Sequence, residues 1–287
     1  MKRLIINADD LGADEARNAG IFEAIREGMV TSVSLLANGP AFKDAIRGIS
    51  SLGEKKVSIG IHLNLSEGMP LVSGLRRLTG RDGYFLGKAR AHELLSGRPD
   101  SDLEREIQEE FDAQVRVFKE AGLPISHLDG HQHVHVFPAA VPATVSLACM
   151  HRIPWMRAPE EPDPDPGEGS AGIHLLREGR IFSGLGKAAR PLLSEAGIRT
   201  TDNFRGLYLK DRVCLSSLVE CMKALPQGLT ELMVHPGRIL PTSPSNPFSQ
   251  FSTVYREKEL EALLDKGFRK ALAERRVELV PFPELDR

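Results

Sequence analysis

The sequence predicts an α/β protein, a (β/α) barrel of seven or eight parallel strands, and three observations carry that expectation. Short β-branched runs alternate with helical patterns, the signature of βα units joined into a parallel sheet. Three of the runs end in ligand-type residues: Arg3-Leu-Ile-Ile6 leads into Asn7-Ala8-Asp9-Asp10, Val57-Ser-Ile-Gly-Ile61 into His62-Leu63-Asn64, and a short apolar segment into His127-Leu-Asp-Gly-His-Gln-His-Val-His135. The carboxyl ends of parallel strands converge on one mouth, so groups from distant parts of the sequence can share one site there. Finally, the 287 residues show no repeat and no linker; residues 1–287 read as a single domain, as barrels of this size routinely are.

Leu4 to Ile6 opens the chain as a strand. Asp14 to Glu27 follows as a helix, with Ile21, Ala24 and Ile25 on one face and Gly28 as its stop. Ser32 to Leu36 is a second strand, and Phe42, Ala45, Ile46 and Ile49 mark the apolar face of the next helix. Val57 to His62 is the third strand. The stretch from Ser66 to Asp100 has no sustained period and reads as a lid or substrate-facing excursion. A helix from Leu103 to Ala121 carries the stripe Leu103, Ile107, Phe111, Val115 and Phe118 and stops at Gly122, after which Ile125 to Leu128 leads into the histidine cluster. Trp155 to Arg157, Thr200 to Phe204, Leu229 to Val234 and Val277 to Val280 complete the strands. Glu160 to Gly172, acidic and rich in Pro and Gly, and Pro241 to Ser252 are solvated loops.

Lys plus Arg number 37 against 39 Asp plus Glu, so no long-range field gathers nucleic acid or anionic lipid, and a small ligand of little charge is the expected partner. Cys149, Cys214 and Cys221 form no Cys-x-x-Cys pair; they read as packing residues of a protein in a reducing compartment. No apolar run approaches the ~18 residues that span a bilayer, and a cytoplasmic protein is the expectation.

Four of the nine histidines lie between positions 127 and 135, which calls for metal or proton chemistry. A hydrolytic metal takes about three protein ligands and keeps a position open for water, and mixed carboxylate and imidazole donors suit zinc and its neighbours. Asp10, His62 and His131 supply such a set. A divalent cation offsets the repulsion of two adjacent carboxylates, so Asp9 reads as the base beside the ligand Asp10. His235, in Met233-Val-His-Pro-Gly237, again follows an apolar strand and reads either as a proton donor to a leaving group or as a strand-end cap. Arg157 reads as orienting a site carboxylate or a substrate oxygen, and Arg157 and Asn64 are the expected substrate contacts. If the cluster is extended, His131, His133 and His135 fall on one side. His127 and His135 then support the site, and His133 stays open between substrate contact and proton shuttle. Singly, each motif has a plain structural alternative: a capped turn at Asn7 to Asp10, a hydrogen-bonded core histidine at His62.

As an ordered set, Asn7-Ala-Asp-Asp-Leu-Gly12, Gly60-Ile-His-Leu-Asn64, the 127–135 cluster with Phe137-Pro138, and His235-Pro-Gly237 resemble the YdjC-like carbohydrate deacetylases, which include chitooligosaccharide deacetylases. The likeness runs through the whole chain, with Val30-Thr-Ser-Val-Ser34 and Asn38-Gly39-Pro40 near the second strand. It implies a deformed (β/α) barrel, a divalent metal, magnesium or zinc, at the positions matching Asp10, His62 and His131, and Asp9 as base in releasing acetate from an N-acetylated sugar. It also makes a homodimer the family-level expectation. In a related hopanoid-lipid branch, Asn-Ala-His-Lys-His replaces the Asp-Gly-His-Gln-His found here, which favours the sugar-oligomer branch over a lipid-linked amino sugar. A non-catalytic metal- or ligand-binding protein is the reading from another class, separable by chelation and acetate assay.

Overall fold

The computed structural model describes residues 1–164, 172–239, 248 and 252–283. Parts of both expected loops, 160–172 and 241–252, lie outside the described residues. The strands are β1 (Lys2–Leu11), β2 (Ser32–Leu35), β3 (Ser58–Leu63), β4 (His127–Gly130), β5 (Trp155–Met156), β6 (Asn203–Arg205), β7 (Gly228–Val234) and β8 (Val277–Leu279). The helices are α1 (Glu15–Arg26), α2 (Phe42–Ser50), α3 (Lys88–Ser96), α4 (Ser101–Glu120), α5 (Val141–His151), α6 (Ile173–Glu195), α7 (Leu215–Lys223), α8 (Val254–Leu264) and α9 (Lys266–Glu274).

Seven parallel strands run in the order β5-β4-β3-β2-β1-β7-β6, and β8 pairs with the start of β1. The sheet curls until its edges approach: just before β6, Arg199 donates its N–H to Pro154 O at 3.0 Å and accepts that of Met156 at 2.9 Å. The result is the deformed barrel the sequence predicts, with helices around it and one apolar core reaching from Leu4 to Leu272.

The first strand is much longer than its apolar run. It continues through Asn7, Ala8, Asp9 and Asp10 because the ladder does: Asn7 and Ala8 pair with Met233 and Val234 of β7 on one side and with Ser32 and Val33 of β2 on the other. Asp14 caps α1 by accepting the Arg17 N–H, and Gly28 closes it in the left-handed region.

The excursion from Ser66 to Asp100 is less free than its composition suggests. Leu75, Leu78, Phe85 and Leu95 are buried, and residues 88–96 form α3. Two buried carboxylates of α4 hold its backbone. Glu106 accepts the N–H groups of Arg76, Arg77 and Leu78, and Glu110 those of Leu71 and Val72.

Two of the cysteines, Cys149 and Cys214, are exposed rather than packed, and Cys221 is half-buried. No described helix is long and apolar enough to cross a membrane.

Candidate active site

The carboxyl ends of β1, β3, β4 and β7 meet at a cavity of about 70 Å³ lined by Asp9, Asp10, His62, His131, His133 and His235. Its outer wall is Phe182 and Gly179 of α6, Leu207, and the Lys88 and Glu178 side chains. Six residues singled out in the sequence thus surround one space.

Asp9 and Asp10 are neighbours in a strand, where alternation sends successive side chains to opposite faces. Both nonetheless face the cavity. The pairing of β1 with β2 shifts register between Ala8 and Leu11, and Asp10 takes a left-handed φ of 65°, a conformation that Asp tolerates better than most residues.

Asp10 Oδ1 lies 2.7 Å from His131 Nδ1 and 3.4 Å from His62 Nε2. Its other oxygen accepts from Arg17 Nη1 at 2.8 Å. Burial opposes the charge of Asp10, but His131, His62 and Arg17 outweigh it and hold the carboxyl well below the usual range. One carboxylate oxygen and two imidazole nitrogens, all within 4.8 Å of one another and all buried, make a group able to hold a metal ion. The donor chemistry fits a divalent cation of the zinc type. The cluster is not extended as the sequence suggests. β4 stops at Gly130, and residues 131–136 form a 3₁₀ turn with Gln132 and His133 at positive φ, so His131 turns toward Asp10 while His135 turns away to the Arg157 carbonyl at 3.1 Å.

Asp9 is held by a fork. Arg157 donates from Nη1 to Asp9 Oδ2 and from Nη2 to Asp9 Oδ1, both at 2.7 Å, and Asn7 donates to Oδ1 at 2.7 Å. Burial raises Asp9 and Arg157 opposes that rise. The same guanidinium reaches Asp129 Oδ2 and Glu231 Oε1, each at 2.7 Å, and its charge is fixed well above its ordinary range because these three carboxylates overcome its burial. Asp129 stands beside His62 in the β3–β4 register and accepts from His62 Nδ1 at 2.7 Å. Despite its own burial, Asp129 is kept far below the usual carboxylate range by Arg157 and His62.

The two expected substrate contacts lie elsewhere. Arg157 is 1% exposed and spends its donors on Asp9, Asp129 and Glu231, so it orients a carboxylate of the cavity without lining the cavity itself. Asn64 is fully buried, where its side chain accepts from the Ser66 and Glu67 N–H groups and donates to the Glu67 carbonyl; it shapes a turn. His127 stacks on Phe282 with centroids 4.1 Å apart, away from the cavity lining. His133 packs against Phe182 at 4.6 Å, and its buried Nδ1 has no hydrogen-bond partner among the described residues. The His235 backbone N–H donates to Glu259, and burial with Arg256 nearby keeps the imidazole well below its usual range.

Sequence reasoning missed Asp129, Arg17 and Glu231. Asp129 sits within the histidine cluster, and Glu231 is the one charge in the apolar run Leu229-Thr-Glu-Leu-Met-Val234; a charge in a buried strand is the signal for a partnered group.

Known proteins resemble this chain along nearly its whole length. A mouse carbohydrate deacetylase is 34% identical, covering 99% of this chain and 95% of its own length. One from Brevibacillus brevis is 30% identical over 99% of both chains. A solved structure from Enterococcus faecalis, described as a cellobiose-phosphate cleavage protein, superposes with a TM-score of 0.76 at 24% identity, covering 98% of this chain and 97% of its own, and so shares the fold. The YdjC-like protein model matches residues 3–274, and with that span and these relatives the chain belongs to the YdjC-like family.

Proposed function

We propose that this chain is a metal-dependent hydrolase that removes the acetyl group from an N-acetylated sugar, a chitooligosaccharide or related amino sugar, and releases acetate. One observation carries the reading: Asp9, a carboxylate held by the Arg157 fork, stands at the cavity beside the Asp10, His62 and His131 group. The carbohydrate deacetylases among its relatives support the substrate class.

A divalent ion, zinc or magnesium, held by Asp10, His62 and His131 supplies Lewis acidity toward water and the amide carbonyl. Asp9 accepts the proton that the attacking water gives up. The Arg157 fork sets both oxygens of Asp9 and keeps the base from rotating off line. The departing amine needs that proton, and His235, resting as a neutral imidazole on the same cavity, is placed to relay it. His133 offers a nitrogen without a partner among the described residues, set in an aromatic wall, where a substrate hydroxyl or amide group meets it.

The test is acetate release from diacetylchitobiose, alongside metal analysis of the purified protein. Asp10→Ala and His62→Ala should lose bound metal and activity together, whereas full activity in either variant ends the mechanism. A panel that includes lipid-linked amino sugars identifies the substrate branch.

A further inference from the structure

We propose that Glu67 is a positioning residue of the metal centre: its carboxylate accepts the Nε2–H of His131 and thereby presents His131 Nδ1 to the ion. The inference rests on the reading of Asp10, His62 and His131 as ligands and adds a residue to it.

The two imidazoles aim opposite nitrogens at one oxygen. His62 gives its Nδ1 to Asp129 at 2.7 Å and turns Nε2 toward Asp10 Oδ1. His131 does the reverse, with Nε2 at 3.1 Å from Glu67 Oε2 and Nδ1 at 2.7 Å from the same Asp10 oxygen. A ligating histidine whose outer nitrogen bonds a carboxylate has its tautomer and ring orientation fixed. Asp129 meets that need for His62, and Glu67 meets it for His131.

Glu67 is itself delivered by a built turn. Asn64 Oδ1 accepts the N–H groups of Ser66 and Glu67 at 2.9 and 3.2 Å, and Asn64 Nδ2 donates to the Glu67 carbonyl at 2.7 Å. Asn38 ties down the end of the turn by donating to Met69 O at 3.0 Å, and Gly68 turns the chain at a φ of 78°. The second Glu67 oxygen accepts from Gln132 Nε2 at 2.8 Å, which locks the left-handed turn beside His131. Asp129 belongs to the sheet, but Glu67 opens the 66–100 excursion, so this segment reaches the metal centre through one carboxylate.

The experiment is calorimetric titration of metal-free protein with Zn²⁺, with melting of the metal-free forms as a control. Glu67→Ala should bind Zn²⁺ about 10–100-fold more weakly while its metal-free melting temperature stays within about 2 °C of the parent. Glu67→Gln, which keeps an acceptor for Nε2–H, should retain most of the affinity. Two-bond ¹⁵N–¹H spectra of Zn²⁺-loaded parent protein should show the His131 ring proton on Nε2, a readout that needs no variant. Parent-like Zn²⁺ affinity in Glu67→Ala, or a His131 proton on Nδ1, overturns the role of Glu67 alone. Failure of the parent to bind Zn²⁺ or Mg²⁺ overturns the ligand reading as well.

Discussion

Arg157 bridges three buried carboxylates, Asp9, Asp129 and Glu231. Removing one partner from a buried ionic group leaves the others uncompensated, at a cost of about 3–5 kcal/mol. Arg157→Met should therefore lower stability by that order in urea unfolding and abolish acetate release, and Arg157→Lys should recover part of the stability but not the two-pronged hold on Asp9. A parent-like unfolding midpoint for Arg157→Met would remove the ionic hub from the account. The ligand types and their strand-end placement were legible because apolar runs stop at them. The turn of Asp10 into left-handed backbone was not, since no local pattern shows which of two adjacent aspartates leaves the strand's alternation. Arg157 likewise has the same appearance in sequence whether it meets a substrate or a neighbouring strand.

Helix α4 shows how an amphipathic pattern can be read correctly and still be incomplete. Its apolar stripe, Leu103 to Phe118, is buried as the spacing predicts. A second buried row, Glu106, Glu110 and Gln114, follows the same helical spacing and was indistinguishable in sequence from a solvated face. These groups do the work of a missing strand: their oxygens take backbone N–H groups that have no ladder partner. Glu106→Ala leaves three amides, those of Arg76, Arg77 and Leu78, without that acceptor. Hydrogen exchange across residues 71–79 should then accelerate roughly 10-fold or more, while β1 and β7 keep their protection. Uniform acceleration across the chain, or none, would contradict the anchoring role.

The barrel as predicted from βα alternation is the barrel observed, with β1 between β2 and β7 in its interior and β5 and β6 at its edges. Its last strands were the hardest to place because β5 and β6 have only two and three residues, too few for any periodicity to accumulate. His127 and His135 are two of the buried imidazoles that weaken the fold in acid, and His133 and His235 shift in the same direction. Burial keeps His127 and His135 neutral, each pulled down to about 3 from an unfolded value of about 6.5. Between those values the unfolded chain binds more protons. Stability is therefore complete above pH of about 6.5 and declines as pH falls toward 3, by about 1.4 kcal/mol per pH unit for each ring in mid-window. His127→Gln should flatten the slope of unfolding free energy between pH 6 and 4 by about that amount; parallel slopes would show that His127 does not titrate on unfolding.

The split partnership of β1 bears on how the chain acquires its shape. Its opening residues pair with Gly228–Val234 and Val277–Leu279, more than two hundred positions downstream, so the strand that carries both aspartates remains half-zipped until nearly everything else has been ordered. Closing so long a loop is entropically slow and leaves an apolar edge open to other chains meanwhile. The two aspartates proposed for the chemistry therefore sit on a strand whose pairing joins the two ends of the chain.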